Sequence, residues 1–319
     1  MSLLFDKPGI LTTVQDMGRF GHRRFGINPG GVMDRAAARL LNILLGNNQN
    51  EAVIEMHFPA AEIVFGGETP FAIGGADFVP TLNGETIRNW TSQIARKGDR
   101  LKFTHSLRGS RAYFAVAGGF ETRIWLDSSS TNLVAGIGGF EGRQIRSGDR
   151  LKTRISGKSK SSLNPRSVSR TLTSPYSRFP TIRIVRGPEY NNLTALGRET
   201  LHVGNFSISK DSNRMGLRLS GPKLSSFEDS GIISSGVTPG TIQLLPDGQL
   251  IVLAADCQTT GGYPRIANII STDLSLIAQL LPGDQMHFKL VSQADAEQSA
   301  LDLEREIAFL KLGVRLTAV

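Results

Sequence analysis

Hydrophobic and polar positions along this chain alternate over short stretches far more often than they recur at helical spacing. Six segments, 71–79, 111–117, 181–186, 240–245, 250–255 and 284–290, read as strands. In the last, Met286, Phe288 and Leu290 share one side while Gln285, His287 and Lys289 share the other, the period of two of a half-buried strand. Helical pattern is confined to three places. Residues 34–46 open on an aspartate suited to an N-cap, continue through good helix formers and end at Gly46, with Ala37, Leu40, Leu41, Leu44 and Leu45 on the apolar side. A second helix is predicted at 273–280, stopped by Pro282-Gly283. A third starts at Ser292, where Ser292 and Asp295 make a capping-box pattern, and runs to Leu312 ahead of Gly313. The predicted fold class is mainly β with a few helices.

Short units recur. Gly98-Asp-Arg-Leu-Lys102 returns as Gly148-Asp-Arg-Leu-Lys152 and, more loosely, as Gly283-Asp-Gln-Met-His287, each a turn feeding a strand. Gly118-Gly-Phe-Glu121 likewise matches Gly138-Gly-Phe-Glu141. Reuse of turn–strand units in both halves points to related β-barrels. A length of 319 residues suits two domains, and the charge suggests where they part. The net charge is +8, of which +7 comes from Lys152, Arg154, Lys158, Lys160, Arg166, Arg170 and Arg178, in a stretch without acids. That stretch is rich in serine and proline and too poor in apolar residues to pack. It places an N-terminal barrel domain at 1–155, a basic Ser/Pro-rich, solvated linker at 156–180, and a C-terminal barrel domain at 181–319 that includes the last helix. No helical period gathers the linker charges on one face, so nucleic acid is not an expected partner.

No apolar run approaches the ~20 residues of a membrane span, and Met1-Ser-Leu-Leu-Phe-Asp6 is too short and acidic for a signal peptide. A cytoplasmic protein with no membrane association is expected. The single cysteine, Cys257, excludes an internal disulfide and any CxxC motif, which suits a reducing compartment. HExxH, GxSxG and P-loop patterns are absent, and His22, His57, His105, His202 and His287 are scattered singly, so zinc hydrolase and Ser-His esterase chemistry is not expected.

Two segments carry more polar chemistry than a scaffold needs. Thr12-Thr-Val-Gln-Asp16-Met-Gly-Arg19-Phe-Gly21, followed by Asn28-Pro-Gly-Gly-Val-Met-Asp34, sets Gln15, Asp16 and Arg19 ahead of a helix N-terminus at Asp34, and backbone amides beside such a terminus receive anions. The same residues also suit a turn-rich barrel segment in which Asp16 pairs with Arg19 and Asp34 caps the helix. The second segment, Asp256-Cys-Gln-Thr-Thr-Gly-Gly-Tyr-Pro264, follows an apolar strand. It puts Gln258, Thr259, Thr260, the Gly261 and Gly262 N–H groups and Tyr263 at a barrel rim, where a carbonyl or phosphate can be held. A tight turn requiring Gly261-Gly262 is the alternative. Cys257 has no histidine or second cysteine beside it in sequence and reads as a buried thiol. Arg214 and Arg218, four apart around Gly216, suit either a guanidinium clamp on an anion or an exposed turn.

Taken in order, TTVQDxGR, the GxMD helix start with LLNxLLGN, SNRMGLRL, SSGVTPGTIQLLPDGQ and DCQTTGGYPRIA resemble the 5-oxoprolinase C-subunit family, also called the Kip antagonist or allophanate hydrolase subunit 2-like family, from about Gly9 to Ala294. That family is similar to one half of the carboxyltransferase domain of biotin-dependent urea carboxylase. The resemblance implies two cyclophilin-like β-barrel domains and a B-subunit (Kip inhibitor) homologue as partner. With an A-subunit homologue, the complex would open a small-molecule amide, 5-oxo-L-proline, to L-glutamate at the expense of ATP with Mg²⁺, the nucleotide being shared with the partner. A lactam carbonyl is inert until its oxygen is phosphorylated, a step that calls for cations and N–H donors around developing negative charge. By residue type and loop position, Arg19, Arg214, Arg218 and the 258–263 loop suit such donors, and Asp16 or Asp256 suits a base or a Mg²⁺ ligand. Gln15, Asp34 and Thr259 to Tyr263 complete the substrate-binding set.

The chain departs from the family where relatives often have Gly-Ser-Arg-Ser-Thr: it has Asp127-Ser-Ser-Ser-Thr131, so a glycine and an arginine are replaced by Asp127 and Ser129. Position 257, often basic in relatives, is cysteine. Two rival readings accompany the first. One is carboxyl transfer from carboxybiotin to urea or a related amide, which needs biotin and its carboxylase on separate subunits. The other is a regulatory protein that sequesters a kinase inhibitor.

Overall fold

The structure, a computed structural model, describes residues 1–154, 165–173, 176–227 and 232–316. The chain forms two compact units. The first comprises Met1–Arg19, Asp34–Pro175 and Leu303–Val319, and the second Phe20–Met33 and Tyr176–Asp302. Residues 20–33 thus belong with the C-terminal barrel, and the end of the last helix belongs with the N-terminal unit.

In the first unit a six-stranded sheet runs Arg150–Lys152, Ser2–Lys7, Glu62–Phe65, Arg100–Phe103, Pro80–Leu82, Glu85–Thr86. A five-stranded sheet runs Thr12–Gln15, Val53–Met56, Arg108–Val116, Thr69–Asp77, Gln93–Ala95. Alternating residues of both sheets, among them Leu3, Phe5, Ile54, Ile63, Phe65, Phe71, Ile73, Phe114 and Val116, fill one core. Phe65, Phe71 and Phe114 meet there with ring centroids 5.2 to 6.2 Å apart. Helix α1 (Arg35–Leu44) packs against the Thr69–Asp77 and Arg108–Val116 strands through its buried Ala37, Ala38, Leu40, Leu41 and Leu44. Asp34 caps it as expected, accepting the Ala37 N–H at 3.0 Å.

Seven strands of the second unit close a barrel in the order Thr181–Arg186, Arg265–Ile269, Thr241–Leu244, Leu250–Leu253, Gly216–Ser220, Asn205–Ile208, Gln285–Leu290. The closing pair, Thr181–Arg186 with Gln285–Leu290, is parallel. Met286 and Phe288 are buried inside it, on the side the alternation indicated.

The recurring glycine-aspartate turns share one geometry. Gly98, Gly148 and Gly283 have φ of 91°, 86° and 90°, a left-handed conformation that only glycine adopts freely. The aspartate after each accepts the N–H three residues back: Arg96 to Asp99 at 2.7 Å, Arg146 to Asp149 at 2.7 Å and Leu281 to Asp284 at 2.9 Å. The reused turn–strand unit is therefore a real structural repeat.

Expectations change at three helices and at the linker. Helix α2 (Ala195–Val203) was not predicted, because only Gly197 and Leu201 of it are buried and no apolar stripe marks it; Thr194 caps it, accepting the Gly197 N–H at 3.0 Å. The 273–280 helix is shorter, a 3₁₀ turn Ser271–Asp273 followed by α3 (Leu274–Ile277). Helix α4 (Gln293–Leu316) keeps the predicted Ser292–Asp295 capping box but continues through Gly313, whose backbone is not left-handed and does not end it. Much of the expected linker, 156–164 and 174–175, lies outside the described residues. Within the rest, Ser167 bridges Thr91 and the buried Val168 donates its N–H to the Trp90 carbonyl at 2.9 Å, so this part lies against the first unit and is not free in solvent.

Candidate functional site

The motif residues fall into two groups, one in each unit. In the first unit Asp16 follows the Thr12–Gln15 strand and is buried. The Gly18 N–H (2.8 Å) and the Ser128 and Ser130 hydroxyls (2.7 and 2.5 Å) donate to its Oδ1, and the Ser129 N–H donates to Oδ2 at 2.5 Å. Ser130 Oγ in return accepts the Asp16 N–H at 2.9 Å. Asp16 thereby ties the end of its strand to the Ser128–Ser130 turn, an engagement close to what a carboxylate's lone pairs accommodate. Arg19 is also buried: its Nη2 donates to the Ser130 carbonyl, and its guanidinium lies over the Trp125 ring, 5.1 Å from the centroid. Gln15 Nε2 donates to Thr13 Oγ1 at 3.1 Å and to the Thr131 carbonyl at 3.2 Å.

Two of the departures noted in the sequence, Asp127 and Ser129, sit in this same turn. Asp127 has φ 58°, the conformation a glycine favours, and aspartate is among the few residues that tolerate it. The Ser129 hydroxyl accepts from Thr122 at 2.8 Å.

Asp34 lies at the start of α1, and its N–H donates to the Tyr113 hydroxyl at 2.8 Å; that hydroxyl donates to Glu55 Oε2 at 2.8 Å. Tyr113 and Glu55 face each other across paired strands. Burial, reinforced by the charges of Glu55 and Asp34, pushes the Tyr113 hydroxyl well above its ordinary pKa and keeps it a neutral donor. Sequence reading missed this pair. Its only signal was a lone acid in an otherwise apolar strand, Val53–Met56.

The second unit brings the other motifs together. Arg214 donates to both oxygens of Asp256, Nε at 2.7 Å and Nη2 at 3.0 Å, and Nη2 also donates to the Gly31 carbonyl at 2.5 Å. Asn28 Nδ2 donates to the Asp256 carbonyl at 2.8 Å, and Arg23 Nη2 to the Thr259 carbonyl at 3.3 Å. Segments 23–31, 214, 232–243 and 256–263 therefore form one cluster. Thr260–Gly261 pairs with Ser235–Gly236 as a two-stranded ribbon, the Ile232 N–H donates to the Gly262 carbonyl at 2.9 Å, and Gln243 Nε2 donates to the Tyr263 carbonyl at 3.1 Å. Roles for Arg23, Asn28 and Gln243 were not foreseen, because nothing in the local sequence shows which carbonyls they reach.

Within this cluster the side chains differ in availability. Gln258, Thr260 and Tyr263 are exposed on the rim. Arg214 and Asp256 are engaged with each other. Arg218 is exposed on the outer side of its strand between buried Leu217 and Leu219, so the two arginines occupy different environments and do not present one clamp. Cys257 is fully buried beside Val237 and Leu253, and desolvation, opposed by the nearby Arg23, pushes its thiol up to about 11. Among the described residues no group of three or more His, Cys, Asp and Glu stands together to hold a metal ion, and no helix is long and apolar enough to cross a membrane.

A mainly β chain with a closed barrel and a polar glycine-rich rim fits the class of carboxyltransferase-type domains. The chain belongs to the family described as carboxyltransferase domain, subdomain A and B, whose sequence model matches residues 25–290. It is 37% identical to the 5-oxoprolinase C subunit of Escherichia coli (strain K12) over 300 residues, covering 94% of each chain. It is 30% identical to the urea amidolyase of Lachancea kluyveri over 328 residues, covering 96% of this chain but 18% of that one. The crystal structure of the Kluyveromyces lactis urea carboxylase superposes with a TM-score of 0.92 at 27% identity, over 98% of this chain and 29% of that one.

Proposed function

We propose that this chain is the C subunit of an ATP-dependent 5-oxoprolinase, acting with a B-subunit (Kip inhibitor) homologue and an A-subunit homologue to activate 5-oxo-L-proline for ring opening to L-glutamate. The likeness to the E. coli C subunit carries this reading, because it covers 94% of both chains and is not confined to one shared module. The contribution assigned to this chain is that of its exposed rim. Gln258, Thr260 and Tyr263 offer an amide and two hydroxyls to a carbonyl that gains negative charge as it is activated. Arg214 and Asp256 hold the rim in place from beneath, and Asp16 does the same for the Ser128–Ser130 turn; all three are positioning residues.

Mg²⁺ fits this chain poorly. Its Asp16 and Asp256 carboxylates are engaged by the protein's own donors, and no acidic cluster stands beside them among the described residues. The ligands for Mg²⁺ are therefore assigned to the partner proteins. A second reading, carboxyl transfer from carboxybiotin to urea or a related amide, is favoured by the superposition on urea carboxylase. Coexpression with the A-subunit and B-subunit homologues, omitting each in turn, and assay of ATP-dependent glutamate release from 5-oxoproline tests the proposal. Turnover that needs this chain supports it. A stable complex with no turnover, which instead carboxylates urea when supplied with carboxybiotin, selects the second reading.

A further inference from the structure

The rim donors Gln258, Thr260 and Tyr263 are neutral. They suit the lactam carbonyl of 5-oxo-L-proline but leave its carboxylate without a counter-charge, and a carboxylate gives up water readily only to a cation or to several N–H donors. The arginines about the rim are mostly placed otherwise. Arg214 is forked onto Asp256. Arg265 is forked onto Glu189, Nε at 2.9 Å and Nη2 at 2.7 Å, and its Nη1 donates to the Gly236 carbonyl at 3.2 Å. Arg218 points to the outer side of its strand, and the exposed Arg24 lies over the Phe25 ring, 4.7 Å from the centroid.

Arg23 differs from all of these. It opens a 3₁₀ turn, Arg23–Phe25, closed by the Gly26 N–H donating to the Arg23 carbonyl at 3.0 Å. Arg23 is half-buried, and its Nη2 donates to the Thr259 carbonyl at 3.3 Å, a long bond to a neutral acceptor. Among the described residues no carboxylate pairs with it, and its Nε and Nη1 are neither bonded to protein nor sealed from solvent. Thr259 stands between Gln258 and Thr260, so the guanidinium meets the rim between two of its three neutral donors. A cation kept at this place with most of its N–H groups open is suited to an anionic group on a ligand held by the rim.

We propose that Arg23 binds the substrate's carboxylate and so selects lactams that carry an acid group on the carbon beside the ring nitrogen. The inference rests on the oxoprolinase reading and deepens it. A carboxylate that does not react is held alike in the ground and transition states, so losing its partner falls on KM. In the complex assembled with the A-subunit and B-subunit homologues, Arg23→Ala should raise KM for 5-oxoproline about tenfold to a hundredfold, with kcat held within about twofold. Arg23→Lys, which keeps the charge without the planar fork, should fall between. 2-Pyrrolidinone, the same ring without the carboxylate, should inhibit the parent and Arg23→Ala complexes with the same inhibition constant. Urea unfolding of the variant chains should keep the parent's midpoint, since one long hydrogen bond is at stake. An unchanged KM in Arg23→Ala overturns the inference, while turnover by the parent leaves the oxoprolinase reading standing. So does a loss that extends equally to 2-pyrrolidinone or travels with a lowered urea midpoint, either of which marks a structural role for Arg23. A parent complex that turns over no 5-oxoproline refutes the reading itself and this inference with it.

Discussion

Replacing Asp16 with alanine separates a structural role from a catalytic one. Four donors converge on its carboxylate, but they are not equally stranded by its loss. The Ser128 and Ser130 hydroxyls can rotate, and each already accepts a backbone N–H, from Ser130 at 3.0 Å and from Asp16 at 2.9 Å. The Ser129 and Gly18 N–H groups cannot turn away. A stranded buried donor costs about 1–3 kcal/mol, and Gly18, only part-buried, regains some of that from water. The expected loss is about 2–4 kcal/mol, with Asp16→Asn intermediate because its carbonyl still accepts. Urea unfolding followed by tryptophan fluorescence suits the measurement, since both tryptophans, Trp90 and Trp125, lie in the first unit and Trp125 exchanges backbone hydrogen bonds with Ser128 at 2.9 and 3.2 Å. An Asp16→Ala protein that unfolds within about 0.5 kcal/mol of the parent would refute the reasoning. Loss of ATP-dependent turnover at unchanged stability would make Asp16 catalytic instead.

Other expectations follow from the second unit. Gln258→Ala, altering an exposed donor, should lower kcat/KM of the assembled enzyme by about tenfold to a hundredfold while leaving the urea midpoint in place; a shifted midpoint with unchanged kcat/KM would contradict the rim assignment. Gly261→Ala would set a Cβ 2.7 Å from Gln243 Nε2, the donor that holds the Tyr263 carbonyl, and should cost about 1–3 kcal/mol by thermal unfolding; an unchanged melting temperature would refute it. A thiol at about 11 in place of its ordinary 9.0 has about a hundredfold less thiolate at pH 8, so native Cys257 should resist iodoacetamide until the protein is unfolded in urea; labelling at the rate of a free thiol would contradict its burial. Arg214→Lys removes the bidentate fork and should destabilise the protein by about 1–3 kcal/mol, read by urea unfolding, with no change expected if the fork contributes nothing.

Strands such as Gln285–Leu290 were legible because burial repeats every two residues, strands buried throughout such as Thr69–Asp77 because they are short apolar runs, and the turn units because a left-handed glycine and an aspartate accepting three residues back leave the same short pattern at Gly98, Gly148 and Gly283. Helix α2 left no such trace, since a helix that buries only Gly197 and Leu201 has no stripe to detect. The grouping of residues 20–33 with the second unit was equally hidden. It rests on side chains reaching backbone carbonyls far along the chain, Arg214 to Gly31 across 183 positions and Asn28 to Asp256 across 228, and no local pattern encodes such a reach.

The site residues divide by what their own chain does with them. Asp16, Arg19, Asp34, Arg214 and Asp256 drew notice as charged groups in glycine-rich segments, yet each is held by protein donors or acceptors at hydrogen-bond distance. A charged group in a tight turn is what a fold needs when many backbone N–H and carbonyl groups are left without sheet partners. The chemistry that resembles catalysis in sequence is thus also the chemistry that builds loops, and exposure tells the two apart. A group that binds substrate must have open valence toward solvent or a partner protein, as Gln258, Thr260 and Tyr263 have. Substitution at the buried set should therefore lower stability together with activity, whereas substitution at the rim should lower activity alone. A rim variant that unfolds the second unit, or a buried variant that silences turnover without loosening the fold, would reverse the division.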